Sequence, residues 1–105
     1  LPLTLPQRCS DRHSSFHLYV IQLKLEKISK THRQVFEELH SASIEVNVHY
    51  IPVHLQPYYR NLGFKEGDFP QAEQYYREAI SLPLYFGLTE DDQDRVIDAL
   101  KQILT

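Results

Sequence analysis

Segments with the period of a strand and segments with the period of a helix follow one another along this chain. That order predicts an α/β fold, a two-layer sandwich in which one small sheet carries helices on one face. Two segments, Phe16–Leu25 and Ile44–Ile51, alternate side chains as strands do. Three others, Thr31–Ala42, Pro70–Ile80 and Thr89–Leu104, space their apolar residues along one helical stripe. With 105 residues, 42% hydrophobic and 24% charged, the chain has the size and composition of one globular domain.

The segment Leu1–Ser15 opens Leu-Pro-Leu-Thr-Leu-Pro. Pro2 and Pro6 remove amide donors and hold their predecessors extended, so this stretch reads as a linker or an edge strand arriving from elsewhere. In Phe16–Leu25, His17, Tyr19, Ile21, Leu23 and Leu25 share one face, and Leu18 and Val20 give way to Gln22 and Lys24 on the other. In Thr31–Ala42 the apolar face is Val35, Phe36, Leu39 and Ala42, with Ser29 or Thr31 as the cap. Ile44, Val46, Val48 and Tyr50 form one face of the second strand, and Pro52 ends it. His54–Phe64 is a compact turn or short helix closed by Gly63. Pro70–Ile80 starts on a proline suited to a first helical turn, and its expected apolar face is Ala72, Tyr75, Tyr76, Ala79 and Ile80. Ser81–Tyr85 is short and extended around Pro83. Thr89 and Asp92 have the spacing of a capping box, and Val96, Ile97, Leu100, Ile103 and Leu104 form the stripe of the last helix.

Several function classes are excluded at this level. Acids outnumber bases 14 to 11, and no basic patch of the kind nucleic-acid binders carry is evident. No apolar run approaches the ~18–20 residues of a membrane span. A single cysteine, Cys9, forms no internal disulfide. Leu1–Pro6 lacks the charged start and apolar centre of a signal peptide. The absence of methionine and the start at Leu1 lead us to expect a piece of a longer polypeptide or a processed product. The three glycines, Gly63, Gly67 and Gly87, are too few and too scattered for a phosphate-cradling loop.

The densest polar and aromatic stretch is Val46–Tyr59, with two histidines, three tyrosines and two prolines. Asn47 and His49 share the face opposite the apolar one, and a strand that turns at Pro52 can project them into a cleft. The same stretch also fits a strand end with ordinary surface polar groups. Six histidines raise the question of a metal, but His49 and His54 straddle Pro52, and His13 and His17 would converge only on a helix. No serine sits in a nucleophile elbow, and Cys9 lies in the linker-like segment. Glu90, Asp91, Asp92 and Asp94 are accounted for by the start of a helix, where the dipole favours acids. Tyr75 and Tyr76 fit a helical core face, whereas a stacking role for Tyr58 or Tyr59 stays open.

Ser15–Ile21, Val46–His54, Tyr58–Gly63 with Phe69-Pro70, Ala72–Tyr76 with Ala79–Tyr85, and Leu88–Gln93 together resemble, in order, the C-terminal part of DegT/StrS-type sugar-nucleotide aminotransferases. The resemblance covers nearly the whole chain. It implies that residues 16–105 are the small C-terminal domain of a type I pyridoxal phosphate (PLP) enzyme, with residues 1–15 a linker or edge strand from a large domain. The activity it implies is amination of C4 of a UDP-4-keto-6-deoxy sugar with glutamate as donor, in surface polysaccharide or pseudaminic acid biosynthesis. It further implies a cytoplasmic homodimer with no nucleic-acid or membrane partner.

In such enzymes the Schiff-base lysine, the acid on the pyridine nitrogen and the phosphate-holding amides belong to the large domain. None of these motifs occurs here. Lys24, Lys27, Lys30, Lys65 and Lys101 all fall on expected wet surface, so we expect no catalytic residue and no bound cofactor in this portion alone. The resemblance carries substrate binding onto His49, Tyr50, His54 and Asn47, as hydrogen-bonding groups to the sugar or nucleotide rather than as proton carriers. A second reading is a free-standing, non-catalytic module for sugar-nucleotide binding or dimerisation. Either way, separation from a large domain is expected to expose an apolar or aromatic face and to make the isolated chain self-associate.

Overall fold

The computed structural model describes all 105 residues, Leu1–Thr105. Three strands, β1 (Leu3–Thr4), β2 (Tyr19–Leu23) and β3 (Ala79–Leu82), form an antiparallel sheet in the order β1-β2-β3. Leu3 lies opposite Leu23, and Ile21 lies opposite Ile80. Within the N-terminal segment, Leu3–Thr4 pairs as the edge strand of this sheet. The period of two in β2 puts Ile21 and Leu23 on one face, where each is buried to 1% exposure, and Ile80 joins them from β3. Two helices cover that face: α1 (His32–Ser41) with Val35 and Leu39, and α4 (Glu90–Leu104) with Val96, Leu100 and Leu104. Ile44 and Val46 complete the core. The architecture is the expected α/β sandwich. Two short helices, α2 (Pro57–Asn61) and α3 (Pro70–Glu78), belong to the excursion between α1 and β3.

Both core helices begin on capping boxes. The Thr31 hydroxyl accepts from the Gln34 amide at 3.1 Å, and Gln34 Oε1 accepts from the Thr31 amide at 2.8 Å. Thr89 and Asp92 repeat the arrangement at the head of α4, at 3.1 and 3.3 Å. Lys30 ties the two helices together, its Nζ donating to Glu38 Oε2 at 2.6 Å and to the Ile103 carbonyl at 2.9 Å. No helix is long and apolar enough to cross a membrane.

Four local expectations need correction. The first strand is shorter than Phe16–Leu25. Phe16 has φ +47°, which breaks the extended chain, and Leu25–Lys27 is a 3₁₀ turn. The second expected strand, Ile44–Ile51, is a single bridge, Asn47 to Ser81. Antiparallel pairing would continue two residues away on either side, at Ala79 and Pro83 of the β3 side. Pro83 has no amide to offer. The Ala79 amide already closes α3 on the Tyr75 carbonyl, and the Ala79 carbonyl takes His32 Nε2 at 2.8 Å. The alternation in 44–51 still buries Ile44 and Val46, but no ladder can form, and Tyr50 is 71% exposed.

The third correction concerns the end of α3, which stops at Glu78, so that Ala79 and Ile80 belong to β3. The last concerns its buried side. Tyr75 is exposed and Tyr76 only half-buried, and the residue of α3 that is buried is Glu73.

Candidate functional site

The Asn47–Ser81 bridge leads into a cleft. Ser81 donates its amide to the Asn47 carbonyl at 2.8 Å and accepts from the Asn47 amide at 3.2 Å. This holds the chain from Ser43 to His49 against the outer edge of β3. The residues after β3, Pro83–Tyr85, and the first turns of α4 form the remaining walls. They enclose a cavity of about 420 Å³. Leu18, Leu82 and Leu88 make part of it apolar, and Asn47, His49, Asp92 and Arg95 line it with polar groups. Arg95 Nη2 donates to the Ser43 carbonyl at 3.1 Å and so pins the start of this segment to α4. Asp92 serves the α4 cap, and Glu45, Asn47 and His49 are the polar side chains that the 44–51 segment brings to the cleft.

His49 is half-buried, and its Nδ1 lies 2.8 Å from the hydroxyl of buried Ser81. Its ring meets Tyr50 edge-on, with centroids 4.5 Å apart. Tyr50 does not line the cleft; it stands on the outer side of His49 with most of its surface in solvent. Of the four residues expected to bind substrate, the structure therefore brings Asn47 and His49 together and keeps Tyr50 at their side.

His54 lies apart from them. It is 7% exposed, in the 3₁₀ turn Val53–Leu55, and its Nε2 is 3.1 Å from Oε2 of Glu73, itself 4% exposed. Glu73 also accepts from the Gly67 amide with both oxygens, at 2.8 and 3.0 Å, and from the Phe69 amide at 3.1 Å. The Gly67 amide above all, then the Phe69 amide and His54, hold its carboxyl below the usual carboxylate range, against the desolvation that burial imposes. Gly67 has φ +94°, a conformation open to glycine at little steric cost, and this aims its amide at the carboxylate. His54 thus fastens the loop between α2 and α3 and has no ring nitrogen at the cleft.

That loop carries an aromatic ridge. Tyr58 meets Tyr59 at 5.1 Å, Tyr59 meets Phe64 at 6.2 Å, Phe64 meets Phe69 at 6.2 Å, and Phe69 meets His54 at 4.8 Å. All four aromatic residues of the ridge other than His54 are exposed.

Sequence reasoning missed Ser81 and Glu73. Glu73 had a readable sign, an acid in the first turn of a helix that starts on Pro70, where backbone amides lack partners. Nothing in the sequence paired Ser81 with a residue 32 positions earlier.

The site contains no lysine. Lys30 is held by Glu38 and the Ile103 carbonyl, and Lys65 pairs with Asp68 at 3.1 Å on the surface. The amine that PLP would need for a Schiff base is thus not among the side chains lining this cleft.

Residues 1–101 match the family model of the DegT/DnrJ/EryC1/StrS aminotransferases. The chain is 42% identical over 96 residues to the spore coat polysaccharide biosynthesis protein SpsC of Bacillus subtilis, a match that takes in 90% of this chain and 25% of that protein. Among solved structures it is similar to a putative sugar aminotransferase of Streptococcus pneumoniae, Spr1654. In the apo-form the TM-score is 0.85 at 28% identity, over 97% of this chain and 26% of the other. In the PLP-form it is 0.83 at 28% identity, over 99% and 28%. PseC of Helicobacter pylori, an aminotransferase involved in the biosynthesis of pseudaminic acid, matches with a TM-score of 0.76 at 27% identity, over 87% of this chain and 24% of that one. The chain spans about a quarter of the length of these relatives.

Proposed function

Since this chain belongs to the DegT/DnrJ/EryC1/StrS aminotransferase family, we propose that residues 16–105 are the small C-terminal domain of a PLP-dependent sugar-nucleotide aminotransferase, with residues 1–15 arriving from its large domain. The whole enzyme would act in the cytoplasm as a homodimer. It would aminate C4 of a UDP-4-keto-6-deoxy sugar at the expense of glutamate. The pathway would be surface polysaccharide or pseudaminic acid biosynthesis, and in the latter, to which PseC belongs, the product would be a UDP-4-amino-4,6-dideoxy-N-acetyl-altrosamine.

The observation that carries this reading is the cleft beside β3, where Asn47 and His49 stand among apolar side chains and the charged groups of Glu45, Asp92 and Arg95. Such a surface suits the recognition of a polar ring. Hydroxyl and carbonyl oxygens of the sugar would meet Asn47 and His49, and the exposed phenol of Tyr50 lies close enough to His49 to extend the same contact. His54 holds the loop that bears the aromatic ridge, apart from this cleft. PLP supplies the amino-transfer chemistry when bound, and its lysine would come from outside these residues.

The first test is the intact mass of the native gene product, then transamination by that product. We expect a mass several-fold above 12.4 kDa, and glutamate-dependent amination of a UDP-4-keto-6-deoxy-N-acetylhexosamine. A native product near 12.4 kDa that binds UDP-sugars without turnover would instead establish the free-standing binding module.

A further inference from the structure

We infer that Ser81 is a positioning residue: its hydroxyl donates to Nδ1 of His49 and so fixes that imidazole in the tautomer that carries its proton on Nε2. This rests on the reading of His49 as a substrate contact and deepens it by assigning the chemistry of the contact. Nε2–H is then a hydrogen-bond donor, and the group it meets is an acceptor oxygen of the sugar nucleotide, a carbonyl or hydroxyl rather than an amine.

Ser81 is 4% exposed, and the bond to His49, at 2.8 Å, is the only one its hydroxyl makes. Its amide and carbonyl are both committed to Asn47, so its position along the edge of β3 is set by the backbone. Were Nδ1 the donor, the serine proton would find no acceptor within the protein and would depend on water of the cleft that Ser81 lines. With the hydroxyl donating, its proton and the Nδ1 lone pair are both satisfied, and only oxygen lone pairs stay free. His49 Nε2 has no partner within the protein, and the ring lines the cleft. The ring of exposed Tyr50 meets that imidazole edge-on, with centroids 4.5 Å apart, so the bond to Ser81 is the contact that orders the imidazole. Recognition gains from such restriction because the ring's ordering precedes binding.

The test uses the full-length enzyme and two readouts. In ¹⁵N spectra of histidine-labelled protein, His49 should show a protonated Nε2 and a bare, hydrogen-bonded Nδ1, and Ser81→Ala should turn it into a tautomer mixture. A protonated Nδ1 in the unmutated protein overturns the inference whatever the kinetics give. In steady-state kinetics with a UDP-4-keto-6-deoxy-N-acetylhexosamine, Ser81→Ala should raise KM by ~3–10-fold, the worth of one hydrogen bond, with kcat little changed. Ser81→Thr, which keeps the hydroxyl and suits a strand, should restore it. In a His49→Phe background Ser81→Ala should have no further effect on KM. An equal effect in both backgrounds would mean that Ser81 acts through the sheet and not through His49, which overturns the inference. If His49→Phe leaves KM unchanged while the tautomer is as stated, the substrate-contact reading falls and the Ser81–His49 positioning stands.

Discussion

Oε2 of Glu73 receives His54 Nε2 at 3.1 Å, and the same carboxylate collects the amides of Gly67 and Phe69, so one buried side chain fastens the turn that follows Pro52 to the loop that precedes α3. Burying a carboxylate is costly unless its lone pairs are occupied, and here they are occupied by three donors from two segments. Replacing Glu73 with Gln keeps the shape but substitutes an NH₂ for one acceptor oxygen, facing amides that can only donate. Glu73→Gln should therefore lower the thermal midpoint more than Asp68→Asn, whose partner Lys65 is on the surface. A thermal melt monitored by circular dichroism compares the two. Equal midpoints would show that the buried clasp is no stronger than a surface pair.

The same carboxylate makes stability depend on acid. Contacts in the folded state hold Glu73 below its ordinary value of 4.5 and Asp68 below 3.8, in the latter case through the backbone amide and then the ammonium of Lys65. A carboxyl with a lowered folded pKa binds more protons when unfolded. Its contribution is thus fully present above the unfolded value and is lost as pH falls through the folded one. Urea unfolding of the native protein and of Glu73→Gln should show a constant gap near neutral pH, and that gap should close as the pH is taken below about 4.5. A gap that stays constant down to pH 3 would remove the ionised clasp from the account.

The core makes a larger demand. Leu39 of α1 is fully buried among residues from β2, β3 and α4. Leu39→Ala should cost ~2–5 kcal/mol, the range for a leucine removed from a packed interior. Against a small domain's net stability of ~5–15 kcal/mol, that is a large fraction. Chemical denaturation checks it, and a loss below ~1 kcal/mol would mean that the helix-on-sheet layer repacks freely.

The head of α4 offers a test of a smaller, local term. Thr89→Ala removes the side-chain acceptor of the Asp92 amide and half of the capping box. The expected loss is ~0.5–2 kcal/mol. Thr89→Asn should recover most of it, because asparagine caps about as well. Denaturant midpoints of the two variants should differ accordingly.

These local terms were readable in the sequence because each depends on residues close together in it. The two capping boxes are three-residue spacings, and the stripes of α1 and α4 repeat within a few turns. The limits of reading lay where distant groups compete for the same backbone. Ile44–Ile51 has a strand's alternation, but whether it becomes a strand depends on Ala79, whose amide and carbonyl are taken by Tyr75 and His32. In the candidate site the histidines were visible and their roles were not. His49 and His54 are five residues apart in a similar context, and only their partners, Ser81 and Glu73, separate a cleft-lining ring from a buried clasp.

The aromatic ridge leads to the last prediction. Tyr58, Phe64 and Phe69 are 68%, 39% and 48% exposed, and they run continuously from α2 into the loop that Glu73 holds. Scattered exposed apolar residues are ordinary, but a contiguous and rigidly held set favours burial against another surface. In a whole aminotransferase that surface would lie on another domain or subunit. In the isolated 105-residue chain it should be another copy of the chain. Light scattering should therefore report a mass that rises with concentration. The double variant Tyr58→Ser with Phe64→Ser should shift the species back towards a monomer, while leaving far-UV circular dichroism unchanged, because neither side chain belongs to the buried core. A monomer at millimolar concentration without any substitution would show that the ridge is not an association surface. An oligomer that the double variant leaves intact would move the contact elsewhere, with exposed Tyr85 and Phe86 beside the cleft the next residues to change.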